Sequence, residues 1–316
     1  MDWKDKKILI NGASGFIGSN LVKKFLELGA KIYSIDNFSY IDGEKSKRKN
    51  NFFDKIVLIE GNVSEDEPWK KVPLDIDYIF HFAAPSSITN YKREPERCYR
   101  ETVYGFWKAL EFAKNNKSVK KVVYPSTGSL YAGNEFPLNE NVYPKPRNLY
   151  ASAKMACEGL AGNYKGLVNS IGIRIFAGYG PGEEWKKDFG SIVFLFLNDL
   201  MKGNKPIIWG DGKQTRDFVY IKDIVEGVKK AAEADYEGII NIGTGIETSF
   251  NDMIEIIKEE LGIEGETEHI PKEANYVENL KADTKLMKKI LGIETVSLKD
   301  GLKEYINYLK QTEKIN

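Results

Sequence analysis

The stretch ILINGASGFIGSNLVKKFLELGAKIYSID, residues 8–36, decides the fold. Its opening reads as the end of a strand over 6–11, and Phe16 to Leu28 repeats apolar residues at helical spacing before a second β-branched run at 31–36. Between strand and helix stand Gly12, Gly15 and Gly18, with Phe16 and Ile17 starting the helix. Glycines at such a junction permit a tight turn, let the backbone approach a pyrophosphate, and let the helix pack closely on the strand. A plain structural turn would use the same glycines. Asp36 ends the second run, 24 residues beyond Gly12, where a carboxylate accepts from both ribose hydroxyls and repels a 2′-phosphate. NAD is therefore expected rather than NADP. A turn or cap role for Asp36-Asn37 is the other reading.

Further along, 55–61, 77–84, 120–126, 171–176 and 238–243 read as strands, nearly continuously apolar. Helical patterns at Glu96 to Asn115, Asn148 to Lys165 and Ile221 to Ala234 lie among them. Strands alternating with crossover helices predict an α/β fold, a doubly wound parallel sheet of Rossmann type. After Phe176 a Gly/Pro-punctuated loop, GYGPGEEWKKDFGS, leads to a helix at Ile192 to Met201, and helices follow at Asn251–Leu261, Thr284–Leu291 and Leu298–Lys310. The expected division is a dinucleotide-binding domain of residues 1–177 and 218–245, with a smaller, mostly helical substrate lobe of 178–217 and 246–316.

Composition narrows the function classes. Lys+Arg and Asp+Glu balance at 46 each in 316 residues, so no net field draws the chain to nucleic acid or an anionic membrane. No apolar run approaches the ~20 residues of a membrane span, and MDWKDKKILING lacks the apolar core of a signal peptide. A cytoplasmic protein is expected. Cys98 and Cys157 lack metal-ligand spacing, and with only His81 and His269 beside them no metal site is expected.

Tyr150 and Lys154, four apart in NLYASAK, share one helix face. A phenol, with a pKa near ~10, becomes a base at neutral pH only where nearby cations favour its anion. Tyr104 and Lys108 repeat the spacing, but Tyr104 lies inside a helix with Trp107 and Leu110 and reads as packing. Thr127 ends the fifth strand and Tyr150 opens the next helix, so sheet topology brings both to the carboxyl ends of the strands. Asn62, after the third strand, is either an adenine contact or a turn residue.

GASGFIGS, HFAAPSS, YPSTGSLYA, YASAK, IRIFAGYGPG, GDGKQTRDFVYIKDI and NIGTG, in that order, resemble the extended short-chain dehydrogenase/reductase superfamily, in its nucleotide-sugar epimerase/dehydratase branch. The resemblance covers nearly the whole chain. It implies tightly held NAD, contacted by the Gly12–Gly18 turn, Asp36, Asn37, Asn62, Val63, Phe82, Ala83, Ala84, Tyr150 and Lys154. It implies Thr127, Tyr150 and Lys154 as the catalytic set: the Tyr150 phenolate takes the proton of the sugar's 4-hydroxyl, Thr127 hydrogen-bonds that oxygen, and Lys154 holds the ribose and lowers the phenol pKa. Dehydratases of this kind carry Asp-Glu after the Thr and decarboxylases a Glu, whereas Gly128-Ser129 supplies no acid. The expected reaction is 4-epimerisation of a nucleotide hexose, most like UDP-glucose/UDP-galactose or the N-acetyl analogues.

On the substrate side the resemblance implies Ser86, Thr127, Tyr150, Ala177, Tyr179, Trp209, Arg216 and Lys272, with Arg216 gripping the diphosphate. Tyr179 and Trp209 read equally well as core, and Arg216 as a surface partner of Asp217. Three positions depart from the pattern. Ala177 replaces the usual Asn, Lys272-Glu273-Ala274-Asn275 replaces Arg-x-Gly-Asp, and Leu280 stands at the position that limits the group at carbon 2. The alternatives are another NAD-dependent nucleotide-sugar oxidoreductase, a multi-step epimerase, or a dinucleotide-binding regulator without catalysis. A homodimer is implied through helices 96–115 and 148–165, with Tyr99, Val103, Phe106, Leu110, Met155 and Leu160 available to the core or a partner.

Overall fold

The computed structural model describes residues 1–39, 52–272 and 277–312. Its strands, in chain order, are β1 (Lys7–Asn11), β2 (Lys31–Asp36), β3 (Val57–Glu60), β4 (Tyr78–His81), β5 (Lys121–Thr127), β6 (Ser170–Ile175), β7 (Ala177–Tyr179), β8 (Ile207–Trp209), β9 (Thr215–Arg216), β10 (Phe218–Tyr220), β11 (Gly238–Ile242), β12 (Thr248–Ser249), β13 (Glu268–Ile270) and β14 (Asn279–Leu280). The helices are α1 (Phe16–Glu27), α2 (Asp66–Lys70), α3 (Ile88–Arg93), α4 (Pro95–Tyr99), α5 (Gly105–Asn115), α6 (Leu149–Asn163), α7 (Ile192–Met201), α8 (Ile221–Glu233), α9 (Phe250–Leu261), α10 (Lys285–Leu291) and α11 (Leu298–Gln311).

Seven of the strands form one parallel sheet in the order β11-β6-β5-β4-β1-β2-β3. Alternation along β1 shows how both faces are covered. Ile8 and Ile10 enter a core shared with α1, α8 and the C-terminal helices, while Leu9 enters a second core with Phe106, Leu110 and Cys157 of α5 and α6. The strand order reverses between β1 and β4, which opens a crevice at their carboxyl ends. The expected Rossmann-type doubly wound sheet is the observed one.

The helix expected over 96–115 is a single rod in three parts: α4, a π-helical turn at Arg100–Tyr104, and α5. In its middle Tyr104 packs on Trp107, ring centroids 5.0 Å apart, but is 43% exposed, with the Lys108 ammonium 5.2 Å from its ring centroid. Outside the main sheet, short strands pair into small sheets, β7 with β10, β9 between β12 and β14, and β8 with β13; α9 packs on β12, α11 on β10, and α7 and α11 on α9. Two- and three-residue strands carry no period to read, and neither do α2 and α3, so the sequence did not announce them.

Asp217, between β9 and β10, ties these short strands to the main sheet. Its buried carboxylate accepts from Thr244 N at 2.7 Å, Thr244 Oγ1 at 2.6 Å, Gly245 N at 2.9 Å and Ala282 N at 3.1 Å. One side chain thus joins the end of the seventh sheet strand to the segment beside β14.

Candidate active site

The crevice is a cavity of about 600 Å³. Gly12 forms its floor with φ 81°, and a Cβ there would lie 2.8 Å from the backbone of Ala83. A Cβ on Gly18 would fall 2.0 Å from the Gly12 carbonyl oxygen. Both positions are closed to any side chain, and that is what brings β1, β4 and the start of α1 into contact. Helix α1 begins at Gly15 with no side-chain cap and no acidic residue in its first turn, so its positive end faces the cavity.

Asp36 lines the next part of the cavity. Its carboxylate accepts from Ser14 N at 2.7 Å, Ser14 Oγ at 2.8 Å and Phe38 N at 2.8 Å, while burial holds its pKa above the usual carboxylate value. Asn62 does double duty. Its Oδ1 accepts from Ser64 N and Ser64 Oγ, both at 2.9 Å, and its Nδ2 donates to Glu101 Oε1 at 2.9 Å. The turn reading of Asn62 is thus realised on a cavity-lining residue. Asn37, Val63, Phe82, Ala83, Ala84 and Ser86 line the same cavity.

Thr127, Tyr150 and Lys154 meet at its other end. The Thr127 Oγ1 accepts from Ser129 N at 3.1 Å and is hydrogen-bonded to the Tyr150 hydroxyl. The Lys154 ammonium lies 5.9 Å from the Tyr150 ring centroid, and the Tyr91 ring stands edge-on to Tyr150 at 5.6 Å. Burial raises the Tyr150 phenol above its ordinary value, the Thr127 bond opposes that, and burial lowers the Lys154 ammonium. Tyr150 is therefore a neutral phenol in the protein by itself. His81 on β4 is neutral too, pushed down to about 3 by burial and the Lys154 charge.

The family model described as "NAD dependent epimerase/dehydratase family" matches residues 8–243. The chain belongs to that family. UDP-glucuronic acid decarboxylase 1 of Arabidopsis thaliana is 32% identical over 96% of this chain and 70% of that protein. The solved UDP-glucose 4-epimerase of Thermotoga maritima is 30% identical, with a TM-score of 0.89 over 97% of this chain and 99% of that one. The UDP-N-acetylglucosamine 4-epimerase of Methanobrevibacter ruminantium is 27% identical, with a TM-score of 0.89 over 98% of this chain and 99% of that one. The cofactor of this family is NAD, and the crowded Gly12–Gly18 turn, the uncapped start of α1 and Asp36 fit a dinucleotide.

The family's substrates are nucleotide sugars, and the residues expected to bind them divide. Ser86 lines the cavity; Ala177, Tyr179, Trp209, Arg216 and Lys272 do not. Tyr179 is fully buried, its ring 5.5 Å from that of Tyr220 and its hydroxyl donating to Leu298 O at 3.4 Å, a core residue. Ala177 pairs with Phe218 across β7 and β10. Arg216 donates to the carbonyls of Thr215 at 2.7 Å, Val277 at 2.9 Å and Glu278 at 3.2 Å, and Lys272 pairs with the Glu278 carboxylate at 2.7 Å. Arg216 and Lys272 therefore meet around Glu278, with Trp209 on β8. Glu273, Ala274 and Asn275 lie outside the described residues. Leu280 is buried on β14, which packs against the Gly128–Tyr131 turn.

Two groups at the site went unread in the sequence. Residues 184–189, in the Gly/Pro-punctuated loop, contribute Trp185, Lys186, Asp188 and Phe189 to the cavity. Behind Thr127, Ser126 Oγ donates to Glu158 Oε1 at 2.5 Å, and Arg174 grips Glu158 through Nε at 2.9 Å and Nη2 at 2.7 Å. Glu158 lies one turn beyond Lys154, so an i+4 repeat of polar residues on α6 was the available signal.

Proposed function

We propose that the protein is an NAD-dependent 4-epimerase of a UDP-hexose, with Thr127, Tyr150 and Lys154 as its catalytic residues. The observation that carries the reading is the turn after Thr127. Gly128 is pressed by the Phe176 ring, where a Cβ would meet ring carbons at 3.1 Å, and Ser129 lines the cavity where an acid would be needed for elimination or decarboxylation. Of the carboxylates on the cavity, Asp36 is held by Ser14, Glu101 by Asn62, and Asp188 is exposed on a loop. None of the three adjoins Thr127 in these contacts.

NAD when bound supplies a two-electron acceptor for carbon 4 and a positive charge beside the Tyr150 phenol. That charge favours the phenolate against burial. Tyr150 then takes the proton of the 4-hydroxyl as the carbon becomes a ketone, and returns it when the other face is reduced. Thr127, whose oxygen already accepts from Ser129 N, has its own proton free to donate toward Tyr150 or the sugar oxygen. Lys154 keeps its cation on the side of the phenol and orients the ribose. The sugar nucleotide is proposed to lie between the part made of residues 1–177 and 218–245 and the lobe of 178–217 and 246–316, with Arg216 and Lys272 turning from Glu278 to the diphosphate.

A homodimer is proposed through the apolar groove of Tyr99, Val103, Tyr104, Trp107 and Leu160 on the outer face of the 95–115 rod and α6. Phe106 and Leu110 are buried in the core and take no part. Leu160→Glu is expected to give a monomer in sedimentation velocity, and a dimer unchanged by that charge would contradict the assignment. For the reaction itself, incubation with UDP-galactose and catalytic NAD is expected to produce the anomeric proton signal of UDP-glucose without NADH accumulation. Carbon dioxide from UDP-glucuronate, with UDP-galactose inert, would instead make the chain a decarboxylase.

A further inference from the structure

The loop after β7 is closed by one carboxylate. Glu183, fully buried, accepts from Gly180 N at 2.9 Å, Ser191 N at 2.6 Å and Ser191 Oγ at 2.9 Å, so both ends of 180–191 are held together. The loop is seated on α1. Asn20 Nδ2 donates to Pro181 O at 3.0 Å, and a Cβ on Gly182 would lie 3.0 Å from that amide. Trp185 Nε1 adds a bond to Gly182 O at 2.8 Å.

From these anchors Glu184–Phe189 reaches across the cavity and touches both walls. The Lys186 ammonium sits 4.7 Å from the ring centroid of Phe16, in the first turn of α1. The Arg93 guanidinium, at the end of α3, sits 5.2 Å from the Phe189 ring centroid. Between them Lys187 adopts φ 48° and ψ −125°, a conformation few non-glycine residues hold unless their surroundings impose it. Lys187 is exposed, whereas Lys186, one residue earlier, is half-buried and lines the cavity. The kink thus sorts two adjacent lysines, one to solvent and one to the site.

We propose that residues 184–189 form a strap that retains NAD, and that Lys186 is its contact with the pyrophosphate. The inference rests on NAD lying along the Gly12–Gly18 turn. A pyrophosphate brings two negative charges to a helix end worth about half a positive one, so a side-chain cation is called for. Arg97, also on the cavity, is committed to Glu94 at 2.6 Å, and Lys154 stands at the opposite end beside Tyr150. Lys186 is the cation carried over the first turn of α1, and a compact ammonium suits a phosphate oxygen. Cofactor release then requires the strap to leave α1.

The test is the release rate of NADH from the full chain, chased with excess NAD and read as loss of energy transfer from the five tryptophans, Trp185 on the cavity among them, to the dihydronicotinamide. Lys186→Gln is expected to speed release about tenfold to a hundredfold, the loss of one charge-assisted hydrogen bond, with UDP affinity changed less than twofold. Lys187→Gln is expected to leave the rate as it is. An unchanged rate in Lys186→Gln overturns the proposal. So does a variant that holds NADH normally but loses UDP, since the lysine would then serve the substrate's phosphates. If the unmodified protein binds no NADH, the cofactor site itself has been misplaced and the strap falls with it.

Discussion

Thr127 is held by its own loop before any substrate arrives: the Ser129 N–H fills one lone pair of its oxygen, which leaves its proton to the Tyr150 hydroxyl. That bond lowers a phenol which burial raises. Thr127→Ala removes the lowering and keeps the burial, so the Tyr150 pKa moves further up. In the proposed reaction turnover needs the phenolate, so it rises with pH through that pKa. The acid limb of kcat is expected to move to higher pH in the variant, with kcat at neutral pH down about 10²-fold and NADH affinity retained; an acid limb at the same pH would show that Thr127 does not set the phenol. These residues were legible because each is a local pattern, at a strand end for Gly12 to Gly18, Asp36 and Thr127, and on one helix face for Tyr150 with Lys154. Arg216 and Lys272 were legible only as residue types. Their placement around Glu278 depends on β8, β9, β13 and β14 meeting, and no local pattern states that.

At the scale of elements, α6 carries Tyr150 and Lys154, and its rotation is set one turn later. Glu158 is held by Ser126, the neighbour of Thr127, and by Arg174 on β6; Arg174 Nη1 continues to the Tyr131 hydroxyl at 2.6 Å, which donates to Asn241 Oδ1 at 3.0 Å on β11. Three neighbouring sheet strands therefore fix one helix through a buried ion pair. Glu158→Ala strands the Arg174 charge and is expected to cost about 3–5 kcal/mol, read as a lower denaturation midpoint, whereas Glu158→Gln keeps a bond to Ser126 and should cost less. Equal midpoints for the three proteins would mean that water replaces the pair. The seven sheet strands and the long helices were readable because burial on both faces writes apolar runs and the helices write a 3.6 period. The π-helical turn at Arg100–Tyr104 and the strap at Glu184–Phe189 were not, because each is defined by contacts distant in sequence.

In the whole molecule, the reversal of strand order between β1 and β4 makes the crevice, and Asp217 fastens the short strands β9 and β10 to the main sheet through Thr244, Gly245 and Ala282. Among the described residues no helix is long and apolar enough to cross a membrane, and none of the His, Cys, Asp and Glu side chains gather into a group that would hold a metal. The proposed chemistry places a neutral phenol beside a buried lysine, with NAD in the crevice and a turn without an acid opposite it. Its central claim is that carbon 4 is oxidised and reduced again on one enzyme molecule with no other bond broken. UDP-galactose carrying deuterium at carbon 4 tests this directly, with product examined by proton and deuterium NMR in ordinary water. The account predicts UDP-glucose with the deuterium retained at carbon 4 and no enrichment at carbon 5. Deuterium lost to solvent, or an unsaturated or decarboxylated product, would contradict it.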